Sequence, residues 1–354
     1  MSWSTSLQTY IWVFSIGRGN AIFVRTGLNQ GFVLDMGGGT LFDPARFIRE
    51  HFVPQLDKYQ NAAIAQTVLS HPHADHIAQC EEASDGKALR PALLTCPNDK
   101  TQSESLDWSR IEDPIGQNKE LIDTYKKLFE RRNPPLQTIC YDSPRTIPNL
   151  EYGIFYVRPP VCDKLHTEDT KYGNATSIVF YLRHGSHSIL VPGDITPEAM
   201  NIILDQGYGL EKRYTVFDSS AEERYPNWHV ETKEQPSLRS VLGSRGLSIL
   251  VAPHHGLESC FCPELFDAMN GGKPRLNVIS ERRQKNTTPG RIHPRYQSQD
   301  GASGENVEIE GTTERRYSVT TVGGHHILIV FSGTGRPRVY ADPNPDRLLE
   351  IAAP

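Results

Sequence analysis

Four potential metal ligands, His71, His73, Asp75 and His76, fall within six residues of the stretch Leu69-Ser-His-Pro-His-Ala-Asp-His76. A β-rich run, Ile64 to Leu69, leads into it, and a helix-like run, Ile77 to Ala83, follows. A strand end that feeds a loop can aim neighbouring side chains at one point, which suits a cation needing several ligands at short range. Three imidazoles and a carboxylate form a mixed nitrogen and oxygen set suited to Zn²⁺, with Mn²⁺ and Fe²⁺ as competitors. Packed together without a cation, the same groups would be costly to remove from water.

The rest of the chain supplies strands on both sides of that stretch. Leu7 to Ile16 alternates and is rich in aromatic and β-branched residues, and Gly17-Arg-Gly-Asn20 turns it into Ala21 to Thr26, a hairpin signal. A third run, Gly31 to Leu34, ends at Asp35-Met-Gly-Gly-Gly39, where glycines permit a tight turn or a close approach to a site. Asp43 is placed to cap a helix with Pro44 in its first turn. Leu93 to Cys96 is a further strand. From Lys119 to Arg132 the apolar spacing predicts an amphipathic helix, with Lys126, Lys127, Arg131 and Arg132 as its solvated face.

Tyr152 to Val157 and Ser177 to Leu182 flank a loop containing Cys162 and His166. The second run pairs with Ser188 to Val191 across a turn that holds His184 and His187, and ends at Pro192-Gly-Asp194. Thr196-Pro197 then opens a helix. A carboxylate at a strand's end before a helix is where α/β layers put chemistry. Charge clusters, prolines and few apolar periods mark about 210–246 as an inserted segment over one face. Leu247 to Val251 is an apolar strand that ends at Pro253-His-His-Gly256, a second delivery of imidazole. Pro263 to Met269 is helix-like, Leu276 to Ile279 a strand, and Arg316 to Val322 with Ile327 to Phe331 a final hairpin. On that hairpin alternation sends His325 and His326 to opposite faces, as structural residues. Strands first, then strand-plus-ligand loops separated by helices, suggest an α/β fold of two packed sheets with helices outside. The expected organisation is a single domain spanning 1–354.

Composition narrows the class. The chain of 354 residues has a formal charge of -5, so it has no global nucleic-acid footprint. Its six cysteines lack a disulfide-framework spacing, which reads as reduced thiols in a cytoplasmic protein. No stretch approaches the length of a membrane span, and Tyr10 to Ile16 reads as a strand and not as a signal peptide.

His71-x-His73-x-Asp75-His76 resembles the signature of the metallo-β-lactamase fold superfamily. Three elements in order, Asn174 to Val179, Leu190-Val-Pro-Gly-Asp194-Ile195 and Val251-Ala-Pro-His-His-Gly256, resemble the soluble hydrolase domain of ComEC-type competence proteins and their stand-alone relatives. Gly17-Arg-Gly-Asn20-Ala-Ile22 is similar to that group's opening turn, and His293-Pro294 to its late histidine-proline. The resemblance implies an αββα sandwich of mixed sheets with its ligands at one edge. It implies that His71 and His73 hold one metal, that Asp75, His76 and His255 hold a second, with His254 the non-ligand of its pair, and that Asp194 bridges the two. It also matches Asp35 to an aspartate that orients a ligand histidine, against the alternative that Asp35 caps the glycine turn. One departure stands out. Many members supply a third histidine to the first metal, and the corresponding stretch here, Tyr172-Gly-Asn174-Ala-Thr-Ser177, has none. Either Asn174 is a weak oxygen donor there, or the first metal is loosely held.

The chemistry expected of such a site is metal-dependent hydrolysis by a hydroxide held between two divalent cations, Zn²⁺ first and Mn²⁺ as the competitor, with Asp75 and Asp194 orienting it. For a phosphodiester, His293 is the candidate to protonate the leaving oxygen, against its reading as a turn histidine fixed by Pro294. Lys273, Arg275, Arg282, Arg283, Lys285, Arg291 and Arg295, with Glu281 the only acid among them, suit a phosphate-bearing substrate, nucleic acid or nucleotide; a solvated basic loop is the alternative. The favoured expectation is a phosphodiesterase or nuclease. The alternatives are a thioester, lactone or amide hydrolase, and a catalytically weak partner module. Stand-alone relatives occur in bacterial defence gene neighbourhoods, so the resemblance also implies an antiviral setting.

Overall fold

The computed structural model describes residues 8–17, 19–27, 29–39, 42–56, 62–97, 106–111, 119–130, 150–206, 237–280 and 291–353. Arg131, Arg132, Arg282, Arg283 and Lys285 lie outside the described residues, as does most of the expected insertion.

Fifteen strands occur among the described residues. In the first half they are β1 (Thr9–Val13), β2 (Ala21–Arg25), β3 (Gly31–Met36), β4 (Ile64–Val68), β5 (Pro91–Thr95), β6 (Leu150–Phe155), β7 (Val179–His184) and β8 (His187–Val191). The second half holds β9 (Ile249–Val251), β10 (Leu276–Ile279), β11 (Glu305–Ile309), β12 (Thr312–Arg316), β13 (Ser318–Thr320), β14 (His326–Phe331) and β15 (Arg338–Asp342). They form two mixed sheets, one ordered β12-β11-β15-β14-β1-β2-β3-β4-β5 and the other β13-β10-β9-β8-β7-β6. In the first sheet β3, β4 and β5 run parallel, and in the second β8, β9, β10 and β13 do.

Side-chain alternation along the strands builds two cores. Ile11, Val13, Ile22, Val24, Phe32 and Leu34 of the first sheet share one cluster with Tyr152, Ile154, Phe180, Ile189 and Val278 of the second. Phe32 meets Tyr152 edge-on at 5.3 Å, and the Tyr152 hydroxyl donates to Gln66 Oε1 at 3.2 Å. The intervening residues, Trp12, Phe14 and Phe23, join a second cluster with the helical residues Phe47, Ile48 and Phe52, and on the other sheet Tyr181 and Leu190 join it with Met200, Ile203, Leu242 and Phe266. Each sheet is therefore apolar on both sides, which is why its strands read as nearly continuous apolar runs.

The cap predicted at Asp43 forms: its Oδ1 accepts from Arg46 N–H at 2.9 Å, and the helix Pro44–Phe47 continues as a wider turn through Phe52. Three expectations are corrected. The segment before β7 is not a loop, since Pro159–Leu165 and Asp169–Ala175 are helices; Pro159 and Pro160 suit a first turn, which needs no N–H donor. The end of the expected insertion, Leu238–Arg245, is a helix that buries Leu238, Val241 and Leu242 and packs on the helix Pro197–Gln206, with Ser237 Oγ capping it. The final hairpin is absent. β13 pairs in parallel with β10 in one sheet, whereas β14 pairs with β1 and β15 in the other. Ser15 pins that crossing by donating its N–H to His326 Nδ1 at 3.2 Å and its Oγ–H to Thr321 O at 3.0 Å. Among the described residues no helix is long and apolar enough to cross a membrane, and Cys80, Cys96, Cys162, Cys260 and Cys262 are buried.

Candidate metal centre

β3, β4, β8 and β9 all release their chains toward the same place. β4 continues through Leu69, whose N–H still donates to Thr95 O, to the fully buried His71. His73 is extended, and a one-turn helix, Ala74–Ile77, starts directly after it, closed by His76 N–H to His73 O at 2.9 Å. Asp75 and His76 thus stand on a helical turn and not in the preceding loop. Asp194 follows β8 after Gly193, whose φ of +59° is the left-handed region; a Cβ there would lie 2.9 Å from the Ser70 Cβ, so only glycine lets the two loops meet.

The donors gather around Asp194. His76 Nε2 lies 3.2 Å from Asp194 Oδ1, while His254, His71 and His255 present Nε2 to Oδ2 at 3.5, 3.8 and 3.8 Å. His255 Nε2 is also 3.6 Å from Asp75 Oδ2, and His71 Nε2 is 3.1 Å from His73 Nδ1. Two nitrogens bound to one tetrahedral Zn²⁺ at about 2.0–2.1 Å stand about 3.3 Å apart, so these spacings match shared ligation to within about 0.5 Å. Two triads have all their donor atoms within 4.8 Å of one another: His71, His76 and Asp194, and Asp75, His76 and His255. His76 belongs to both, and His73 to neither.

The far nitrogens of these rings are fixed. Asp35 accepts the Ser70 N–H on Oδ1 at 2.6 Å, and its Oδ2 receives the Ser70 hydroxyl at 2.9 Å, His76 Nδ1 at 2.7 Å and Asn20 Nδ2 at 3.2 Å. Ser70 Oγ in turn lies 3.0 Å from His71 Nδ1. One carboxylate oxygen therefore sets the tautomer of His76 directly and of His71 through Ser70, turning both Nε2 atoms inward. Ser280 Oγ lies 2.9 Å from His255 Nδ1 and braces that ring from its far side. Buried and without a hydrogen-bond partner, His255 Nε2 carries the cost of an unsatisfied polar atom that a cation would relieve, while His76 Nε2 faces only Asp194 Oδ1.

Charge is tuned to match. Burial, with the neighbouring His76 and His73, holds the His71 imidazole well below its ordinary range, leaving it neutral. Burial works against charge on His76 too, but Asp194 and Asp35 outweigh it and push the imidazole well up. Burial likewise opposes the charge on Asp194 and Asp75, yet His254, His76 and His255 hold Asp194 well below the usual carboxylate range, and His255 and His76 do so for Asp75. Ionised carboxylates and at least one neutral imidazole make a site that attracts a cation.

Other expected residues fall around this centre. Gly173 and Asn174, on the helix Asp169–Ala175, form a corner against it: a Cβ on Gly173 would lie 2.7 Å from His73 Nε2, and Asn174 Nδ2 is 3.5 Å from His254 Nδ1 while its buried Oδ1 has no hydrogen-bond partner. His293 belongs to neither triad. Its backbone N–H donates to Gly256 O at 2.9 Å, its ring stacks on Phe261 at 3.6 Å, and its Nδ1 accepts the Arg295 N–H at 3.3 Å. Of the basic stretch, Lys273 donates to Gln299 O, Arg275 faces Glu305 at 3.6 Å and Arg295 lies over Phe266 at 4.4 Å. The residue missed by sequence reasoning is His254. Alternation assigns one imidazole of a doublet to each face, but both residues here are left-handed, His254 at φ 46° and His255 at φ 57°, and both rings turn toward Asp194.

No protein-family model matches the chain, and no curated protein matches it.

Proposed function

We propose that the chain is a dinuclear metal-dependent hydrolase of the metallo-β-lactamase fold and ComEC type, acting on phosphodiester bonds of nucleic acid or a nucleotide. The observation that carries the metal reading is the pair of donor triads sharing His76, with a buried, unpartnered Nε2 on His255. Two mixed sheets with a common core, helical residues against their outer sides and donors collected at strand ends support the αββα sandwich. His71, His73 and Asp194 would hold one cation, and Asp75, His76, His255 and Asp194 the other. Two divalent cations, Zn²⁺ or Mn²⁺, supply Lewis acidity and acidify water at neutral pH.

The chain's own residues do the rest. Asp75 and Asp194 remain ionised and offset the cationic charge. Asp35 and Ser70 hold the His76 and His71 rings in one tautomer, and Ser280 braces His255. Because His293 Nδ1 accepts the Arg295 N–H, its neutral ring carries the proton on Nε2, and partial burial pulls its pKa down. That Nε2–H is the end of the ring able to donate to a leaving oxygen. The phosphate preference rests on the order of the ComEC-type elements and on Arg291, exposed beside the His255 loop, where its carbonyl accepts the Glu258 N–H at 2.9 Å.

The test is hydrolysis of bis(nitrophenyl) phosphate and of end-labelled single-stranded DNA, duplex DNA and RNA, beside nitrocefin and a thioester. Diesterase activity should vanish on chelation and return with Zn²⁺ or Mn²⁺. Thioester or amide turnover without diesterase activity overturns the substrate class. Fewer than one bound metal per folded chain overturns the enzyme and leaves a binding module.

A further inference from the structure

We infer that His254 is the missing nitrogen ligand of the first metal, delivered from the loop after β9 instead of from the helix where such a ligand is expected. The inference rests on the two-metal reading and adds a residue to it. His254 stands on the His73 side of the centre, because the same corner that holds Gly173 against His73 holds Asn174 against His254. Its Nε2 is 3.5 Å from Asp194 Oδ2, close to the separation of two donors on one cation. The other end of the ring is occupied. Cys260 Sγ lies 2.9 Å from His254 Nδ1, so Nδ1 is engaged on the far side of the ring and Nε2 is the nitrogen turned to Asp194.

Asn174 adds a second support. Its buried Oδ1 has no partner while its Nδ2 is the atom beside His254 Nδ1. The oxygen and nitrogen of an amide are interchangeable by a half-turn, and with Oδ1 against Nδ1 the amide would accept an Nδ1–H and leave Nε2 with the lone pair. Asn174 is then a positioning residue for His254 and not itself an oxygen donor to the metal. The backbone points the same way. Two consecutive non-glycine residues in the left-handed region are costly, and they persist where the surroundings over-determine them. Here His254 N–H donates to Gly193 O at 3.0 Å and His254 O accepts the Leu257 N–H at 3.1 Å, locking the doublet to the loop that carries Asp194.

The test titrates metal-depleted full-length protein with Co²⁺, following visible absorption and competition with a chromophoric chelator. His254→Asn is the variant, since asparagine tolerates φ 46°. Wild type should bind two ions. His254→Asn should keep one at the wild-type affinity and hold the second at least about 100-fold more weakly, at or beyond the upper end of losses through an indirect contact. Cys260→Ser should keep both, with the same ion weakened by about 10-fold. A second measurement needs no variant: carbethoxylation of His254 in wild type, mapped by mass spectrometry with and without Zn²⁺, should be blocked by loading. Two ions bound at wild-type affinity by His254→Asn, or His254 labelled equally in the protein loaded with two Zn²⁺, overturns the inference. A wild type that never binds two ions refutes instead the two-metal reading beneath it.

Discussion

Asp35 offers the sharpest separation between a residue that braces a turn and one that tunes a metal site. Asp35→Asn keeps the shape and, at φ 58°, the backbone, because asparagine is the other residue that enters the left-handed region readily. What changes is acceptor capacity. The carboxylate receives the Ser70 N–H on Oδ1 and both the Ser70 hydroxyl and His76 Nδ1 on Oδ2. An amide has one acceptor end. If its oxygen faces Ser70 N–H, its NH₂ confronts His76 Nδ1–H; if it is flipped, the Ser70 N–H is orphaned. Either way one buried donor is lost, at about 1–3 kcal/mol. Where that cost falls on the metal-bound state, with His76 held as the Nδ1–H tautomer, it weakens binding by about 5- to 150-fold. The assay is chelator competition for Zn²⁺, run beside thermal melts of the metal-free protein. A lower melting temperature with unchanged Zn²⁺ affinity would refute the orienting role and leave Asp35 as a turn cap.

Three further outcomes follow from the geometry. Gly173→Ala removes a glycine from the interior of a helix, worth about 0.5–1 kcal/mol of stability, while its methyl meets His73 Nε2 at 2.7 Å. A melting temperature held or raised, with one bound metal lost, is expected; unchanged metal content would defeat the close-approach reading. Loading Zn²⁺ at neutral pH should release a proton, because Asp194 and Asp35 outweigh burial and keep His76 protonated in the metal-free site, whereas His71 is already neutral. Calorimetry in buffers of different ionisation enthalpy measures this, affinity should rise with pH, and no net release would count against it. Burial, with His325, lowers the His326 pKa from 6.5 to about 4, and its Nδ1 accepts the Ser15 N–H, which protonation forbids. The unfolded chain then binds the extra proton in that window, so stability is present above about pH 6.5 and falls by up to about 3 kcal/mol as pH drops to about 4. Urea melts at both ends of the window should show this slope in wild type and a flatter one in His326→Leu.

How far the sequence could be read depended on how local each feature is. His71 to His76 was legible because four donors in six residues leave little choice of chemistry, and Asp43-Pro44 because a cap needs only its own first turn. Asn344-Pro345 carries the same signal, with Asn344 Oδ1 accepting the Asp346 N–H at 3.0 Å at the start of the helix Pro345–Ala352, and was readable in principle. β13 and β14 were legible as strands, but period-two alternation says nothing about which sheet an edge will join, and the turn between them crosses from one sheet to the other. Asp35 is ambiguous in sequence for a related reason: capping a turn and orienting His76 both ask for an aspartate before glycines, and only the 2.7 Å contact with a residue 41 positions away distinguishes them.

His254 marks the limit most clearly. Strand alternation sends adjacent side chains to opposite faces only while the backbone stays extended. The chain leaves β9 at Val251 and turns left-handed at two successive histidines, so the doublet ceases to be an in-and-out pair just where it reaches the site. Nothing local in Pro253-His-His-Gly256 forces that turn. The restraints come from Gly193, Cys260 and Asn174, which approach from other parts of the chain. The apparent deficit at Tyr172 to Ser177 and the apparent surplus at His254 are thus one feature: the side of the site that lacks an imidazole on its own helix receives one across Asp194, and Asn174 is left to hold it there.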